Sequence, residues 1–547
     1  MTVTNQPIDQ VFAHWDRADS PGCALAVIQD GQIAYQRGYG QATLEYDAPI
    51  TPTTIFHVAS VSKQFTAFAI ALLIDEGKLA LDDDARRYVP ELPDFGDTIT
   101  IRHLIHHTSG LRDQWSLLIA AGWRMSDVMT TADILELVRN QRVLNFRPGT
   151  EFAECNTGYT LLAQVVERVS GTPFPRFCAQ RIFEPLGMRD SHFHDDYTRV
   201  VKNRAYSYIP ADEGGFRNAV LSYANAGATC LFTTVLDLAR WDQNFYDAGV
   251  GGPAVIDLMQ ARGALNDGTP LTYAFGLHLG AYRGCRTVEH DGGDAGFRSM
   301  LMRFQDQHFS VALAGNVSDL DTSELAHRVA DIYLAEQLAP APQPTRGATL
   351  TAQADPGIAD DAAARAGSYY CAATAETLML EARAGKLVMP NGPGLELLPV
   401  GPDRYQLSVA PQVEFLFVTT AAGEREVHQL YGTDKPIIYQ ALRPATLTAE
   451  MLTDYAGKYY GPELDVIYTV SAQAGKLVLH QRKYGDAVMM PTIADGFKCA
   501  LSDGMGFASS FDLLFQRDAG GGRVRGFTIS AGRIRNLRFV RMESDPV

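Results

Sequence analysis

Two short motifs recur along the C-terminal third of the chain at one shared offset. Ala366-Gly367-Ser368-Tyr369-Tyr370 returns as Ala456-Gly457-Lys458-Tyr459-Tyr460, and Ala384-Gly385-Lys386-Leu387-Val388 as Ala474-Gly475-Lys476-Leu477-Val478, both 90 residues on. Two motifs agreeing on one offset imply a duplicated domain. Each copy is built of short strand-like runs separated by turn residues. That pattern predicts two small antiparallel β-barrel or sandwich domains, at 361–446 and 447–547. They read first as structural modules, with a role at an active site as the alternative. Residues 336–360 are rich in Ala, Pro, Gln and Thr without periodicity, and predict a linker.

Residues 1–335 read as one mixed α and β domain. Residues 23–40 hold two apolar runs around Asp30-Gly31, a hairpin signal. The run from Ser60 to Gly77 reads as a helix opened by Ser60 and closed by Gly77. RSMLMRF and FSVALAGN read as strands separated by residues 305–307.

Composition removes several function classes. Lys and Arg number 47 against 63 Asp and Glu, a net charge of −16, which argues against a nucleic-acid partner. The apolar run at 67–74 is too short to span a membrane. The N-terminus has no basic segment followed by an apolar one, so no signal peptide is expected. The seven cysteines are scattered without a C-x-x-C pair, which predicts a reducing compartment with neither disulfides nor structural zinc. The expected location is cytoplasmic, or periplasmic where a leader has been removed.

Three segments carry residues suited to chemistry. Ser60-Val61-Ser62-Lys63 is an S-x-x-K motif. At a helix start Ser60 would lie beside free N–H groups, and Lys63 would lie on the same face one turn on. A neutral, desolvated lysine can take a serine proton. The plainer reading is an N-cap and a surface lysine. Residues 289–296, Glu-His-Asp-Gly-Gly-Asp-Ala-Gly, read as a glycine-rich segment ahead of a strand. It would let substrate approach the backbone and lend an N–H to an oxyanion hole with Ser60; otherwise it is a turn. Residues 148–159 read as a loop capping a helix, in which Asn156 could orient an amide and Glu154 could act as a base.

With these motifs in order along the chain, residues of about 10–335 resemble the serine β-lactamase and penicillin-binding-protein family, class C branch. Ser60-Val61-Ser62-Lys63 resembles its S-x-x-K motif, residues 99–111 (ITIRHLIHHTSGL) a familial segment, and Asn156-Thr157-Gly158-Tyr159 the end of its Y-S-N-T-G-Y segment. His290-Asp291-Gly292 resembles the H-x-G form of its third motif. The resemblance implies an α+β catalytic domain, an antiparallel sheet flanked by helices. It implies Ser60 as nucleophile, Lys63 as its deprotonating partner and Asn156 as holder of the substrate amide. It also implies His290 at the third-motif position, with Gly292 and Gly293 lining the substrate and Ser60 and Gly293 donating the oxyanion N–H groups.

Two departures stand out. The family has Tyr two residues before this Asn, and here Glu154 replaces it. Either Glu154 is the base, with Lys63 kept protonated beside it, or catalysis is weakened. The surroundings of His290 are also acidic, with Glu289, Asp291, Asp294 and Glu154 in the motifs. Such a pocket should repel a carboxylate and attract an ammonium. A class C-like domain followed by two barrels is similar to the bacterial D-aminopeptidases, in which a loop of the last barrel reaches the active site. Residues 481–490 are the candidate for that loop, with Asp486 as ammonium partner; the plainer reading is a solvated hairpin tip. His103, His106, His107 and the histidines of residues 192–196 read as structural, and no metal or cofactor is expected. The expected function is a serine amidohydrolase on small molecules or short peptides, of D-aminopeptidase or D-amino-acid-amidase type, with a homodimer as the expected assembly. The alternatives are a family esterase or a weakened protein that binds peptides or cell-wall fragments.

Overall fold

The computed structural model describes residues 6–211, 213–340, 362–390, 395–408, 410–431, 436–442, 447–502 and 508–543. The chain forms two units. Met1–Gln114 and Met125–Ala341 make the first, and Trp115–Arg124 with Pro342–Val547 make the second. Most of the predicted linker 336–360 lies outside the described residues.

The first unit is built on a six-stranded antiparallel sheet. Its strands are β1 (Cys23–Gln29), β2 (Gln32–Tyr39), β3 (His278–Tyr282), β4 (Cys285–Asp294), β5 (Phe297–Phe304) and β6 (Phe309–Gly315), in the order β3-β4-β5-β6-β1-β2. The β1–β2 hairpin turns at Asp30 and Gly31, both at positive φ, as a two-residue primed turn requires. The N-terminal Cys23 of β1 pairs with Gly315 of β6, which closes the sheet from both ends of this part of the chain.

The two faces of the sheet differ. One carries Leu25, Val27, Met300, Met302, Val311 and Leu313, packed with Ile8, Phe12, Leu325 and Val329. The other carries Ala24, Ala26, Ala312 and Ala314, all buried. These small side chains let the helix Val235–Asp247 lie close. The helix Ser62–Asp75 (α1) is buried at every residue from Ser62 to Leu73, which explains a sequence without a polar face. The helix Asn156–Ser170 (α2) packs beside α1 and stops at Gly171, a left-handed cap.

The second unit contains two closed eight-stranded barrels with strands in sequence order. One runs from Gly367–Cys371 to Ile437–Leu442, the other from Gly457–Gly461 to Ile534–Arg541. The repeated motifs have identifiable jobs. Ala384-Gly385 and Ala474-Gly475 form hairpin turns, with all four residues at positive φ. Tyr369 and Tyr459 are buried, and each donates its hydroxyl to the carbonyl four residues earlier, Arg365 at 2.8 Å and Tyr455 at 2.6 Å. Each barrel is thereby tied to the short helix before it.

Residues Trp115–Arg124 pack with the second barrel. Tyr468 donates to the Ala120 carbonyl and Tyr484 to that of Trp123, both at 2.6 Å. Lys483 Nζ lies 5.2 Å from the centre of the Trp123 ring. All seven cysteines are buried, and none forms a disulfide among the described residues. Among the described residues no helix is long and apolar enough to cross a membrane.

On the alanine face of the sheet Arg303 Nε donates to Asp242 Oδ1 at 2.6 Å, with both side chains almost fully buried. The guanidinium lies 3.9 Å from the centre of the Phe245 ring. Removing one partner strands the other charge. Asp242→Ala should therefore cost about 3–5 kcal/mol, read as a lowered midpoint in urea denaturation.

Candidate active site

The S-x-x-K motif does not open the long helix directly. Ser60 sits inside a one-turn 3-10 helix, Ala59–Val61, and α1 begins at Ser62. The N-cap predicted at Ser60 is thus displaced by one residue, to Val61. The cause is Ala59, whose φ of 45° bends the chain just before the serine. A non-glycine residue persists there only when its surroundings fix it. Here Ser299 Oγ donates to the Val58 carbonyl at 2.8 Å, Val58 N donates to Leu231, and Ser62 Oγ donates to the Ala59 carbonyl. The bend turns Ser60 Oγ toward Lys63, and Lys63 Nζ donates to it at 2.6 Å. Lys63 is 1% exposed.

Residues 289–294 are not a loop ahead of a strand. They form the end of β4, with Gly292 paired to Ser299 and Gly293 to Arg298 of β5. The missed signal was the alternation of buried and exposed positions running through the glycines. Gly292 is required by space. A Cβ there would lie 2.5 Å from the Val58 carbonyl oxygen and 3.1 Å from Ser60 N. The strand backbone therefore packs against the serine turn. Gly293 follows, and a Cβ on it would meet nothing closer than 3.5 Å.

His290 is buried on this strand. Its Nδ1 donates to the Asp291 carbonyl at 2.6 Å, and Tyr273 Oη lies 3.2 Å from its Nε2. Burial, followed by His278 and Lys63 nearby, pushes its pKa down to about 4, so the ring is neutral near pH 7. Glu154, His278 and His290 come together, each offering one ligand atom, all within 4.8 Å of one another. Sequence reasoning missed His278. The β3–β4 hairpin supplies the signal, since its turn at Arg283-Gly284 pairs His278 with Glu289, next to His290.

Asn156 is the first residue of α2. Its backbone N–H and its side-chain Nδ2 both donate to Asp113 Oδ2, at 2.7 and 2.8 Å. Asp113 was also missed. It accepts only, so it fixes the amide orientation and leaves Asn156 Oδ1 turned away from it.

The expected acidic pocket is dispersed. Glu289 and Asp291 alternate with His290 along the strand and leave on the other face. Burial pushes the Glu289 carboxyl up to about 7, and Asp291 is exposed. Asp294 Oδ2 lies 3.2 Å from both His57 Nε2 and Thr229 Oγ1, beside a cavity of about 210 Å³. His57, Arg204, Cys230 and Phe297 line that cavity. Asp486 stands on a strand of the second barrel, where it pairs with His480 Nδ1 at 2.7 Å.

The geometry thus unites a half-buried serine, bonded to a buried lysine, with a glycine strand pressed on the serine amide. The family profile "Beta-lactamase" matches residues 8–336. A D-aminopeptidase of Brucella ovis is 26% identical over 530 residues, 95% of this chain and 96% of that protein. A D-aminopeptidase of Gluconobacter oxydans is 28% identical over 301 residues, and the chain spans 56% of that protein's length. Among solved structures, the octameric penicillin-binding protein homologue from Pyrococcus abyssi is similar with a TM-score of 0.54 at 19% identity, over 98% of this chain and 99% of that one. The D-amino acid amidase of Ochrobactrum anthropi SV3 is similar with a TM-score of 0.52 at 23% identity, over 61% of this chain and 99% of that one. The chain belongs to the beta-lactamase family. It is a serine hydrolase.

Gly292→Ala tests the packing of β4 on the serine turn. The added methyl should cost about 1–3 kcal/mol of stability. It should also slow acylation of Ser60, measured with an activated ester on protein that still melts cooperatively.

Proposed function

We propose that the chain hydrolyses short peptides or small amides bearing a free N-terminal D-amino acid, through an acyl-enzyme on Ser60. The observation that carries this reading is the 2.6 Å contact from the buried Lys63 Nζ to Ser60 Oγ, set against the Gly292 backbone. The D-aminopeptidase relatives, one matched over nearly its whole length, support the substrate class.

In this reading Lys63 takes the Ser60 proton as Oγ bonds to the substrate carbonyl carbon. The carbonyl oxygen becomes an oxyanion that the N–H groups of Ser60 and Gly293 receive. Asn156 Oδ1, left available by Asp113, accepts from the substrate amide. The C–N bond then breaks, and the proton passes from Lys63 to the leaving amine. Glu154, at the position of the family tyrosine, relays it. Water repeats the cycle on the ester, freeing the acid and restoring Ser60. His290 and Glu154 stand together here, their polar atoms within 4.8 Å.

The substrate ammonium is assigned to Asp294. It follows Gly293 on β4, and its Oδ2 lies 3.2 Å from His57 Nε2 and Thr229 Oγ1.

Two measurements test the proposal. Intact mass after fluorophosphonate treatment should show one adduct that Ser60→Ala abolishes, with Lys63→Ala slowing it by about 10²–10⁴. No adduct on the unsubstituted protein would overturn the hydrolase mechanism. Asp294→Asn should raise KM for D-alanine p-nitroanilide by about 10-fold or more, the scale of a lost charged hydrogen bond. The N-acetylated substrate should be unaffected.

A further inference from the structure

We propose that Glu154, His278 and His290 form a binding site for one divalent transition metal ion of the zinc class. Two imidazoles and one carboxylate are the ligand types that zinc takes when three protein groups hold it and a fourth position stays open. The three residues come from three separate places: the loop before α2, the start of β3, and the middle of β4. Their ligand atoms already lie within 4.8 Å of one another. A tetrahedral ion with bonds of about 2.0–2.2 Å needs separations of about 3.4 Å. Closing that gap takes about an ångström of side-chain movement.

The orientation of His290 suits the role. Its Nδ1 donates to a backbone carbonyl at 2.6 Å, and a carbonyl only accepts, so Nδ1 carries the proton. Nε2 is left with its lone pair. A metal-bound histidine is held in just this way, by a backbone carbonyl on its far nitrogen. Tyr273 Oη, 3.2 Å from Nε2, is the group the ion would displace. The His278 and His290 rings lie 5.2 Å apart, centre to centre, and the Tyr273 ring packs on both.

The charges bear on the choice of ion. Glu154 contributes one negative charge and the histidines none, so the occupied site carries a net positive charge near Lys63. Imidazole donors compensate through bond strength rather than charge, which favours zinc, cobalt or nickel over magnesium or calcium. Binding consumes the lone pairs of Glu154. If Glu154 relays the proton as set out above, the bound ion blocks the serine reaction; this consequence alone rests on that reading.

The site is tested on the Ser60→Ala protein, so that metal binding is read without any acylation. After treatment with a chelator, the protein is titrated with Co²⁺, followed by visible absorption, and with Zn²⁺, followed by calorimetry. One equivalent of each should bind. His278→Ala and Glu154→Gln should each weaken binding at least 10-fold, while Tyr273→Phe, which removes the competing hydroxyl, should tighten it. Glu154→Gln keeps the shape of the side chain and guards against loss through misfolding. Absence of saturable binding overturns the proposal. So does one-equivalent binding that neither His278→Ala nor Glu154→Gln alters, because the ion would then sit elsewhere. Inhibition of the Ser60 protein by Zn²⁺ is a separate reading, and its absence would count against the relay role of Glu154 and leave the site standing.

Discussion

Contact between the Gly292 backbone and the Val58–Ser60 turn holds the catalytic unit together at its working point. The strand lies so close that a single methyl group would overlap the Val58 carbonyl oxygen. That approach fixes where the serine amide stands relative to Gly293. It also forces the bend at Ala59, which in turn aims Ser60 Oγ at Lys63. The sheet, the turn and the helix α1 are thus one mechanical unit. The buried length of α1 behind the lysine prevents the turn from relaxing.

Much of this was legible in the sequence, for physical reasons that differ by element. The 90-residue offset was readable because hairpin turns and capped tyrosines must keep their chemistry in each copy. The Ser60–Lys63 pair was readable because a three-residue spacing puts both side chains on one face of any helical turn. The sheet hairpins were readable from their turn residues. Less was legible where the contact is long-range. Asp113 and Asn156 lie 43 residues apart in sequence, and nothing local announces that one holds the other. His278 needed the register of a hairpin whose turn was not singled out. The left-handed Ala59 gives no compositional signal, since alanine is not a residue that favours such a turn. The glycines of β4 pointed toward a loop because glycine is scarce in strands. Here they serve close packing instead.

Glu154 changes the character of the site. A tyrosine at that position would bring one hydroxyl. A carboxylate brings two acceptors and a charge, and it stands with two histidines rather than alone. The acidity that the motifs suggested is divided among separate surroundings. Burial keeps Glu289 largely protonated at pH 6, Asp294 engages His57, and Glu154 faces the imidazoles. Strand alternation makes that division, because neighbours on β4 leave on opposite faces.

Segment Trp115–Arg124 follows directly on Asp113-Gln114, yet its packing partners are made much later. Tyr484, which holds the Trp123 carbonyl, lies 361 residues downstream of it. At about 5–20 residues per second, roughly 20–70 s of synthesis separate the two. During that interval the ribosome has already released every strand of the first sheet. Segment Trp115–Arg124 therefore gains its packing partners only after the strands of the last barrel that carry Tyr468 and Tyr484 have been made.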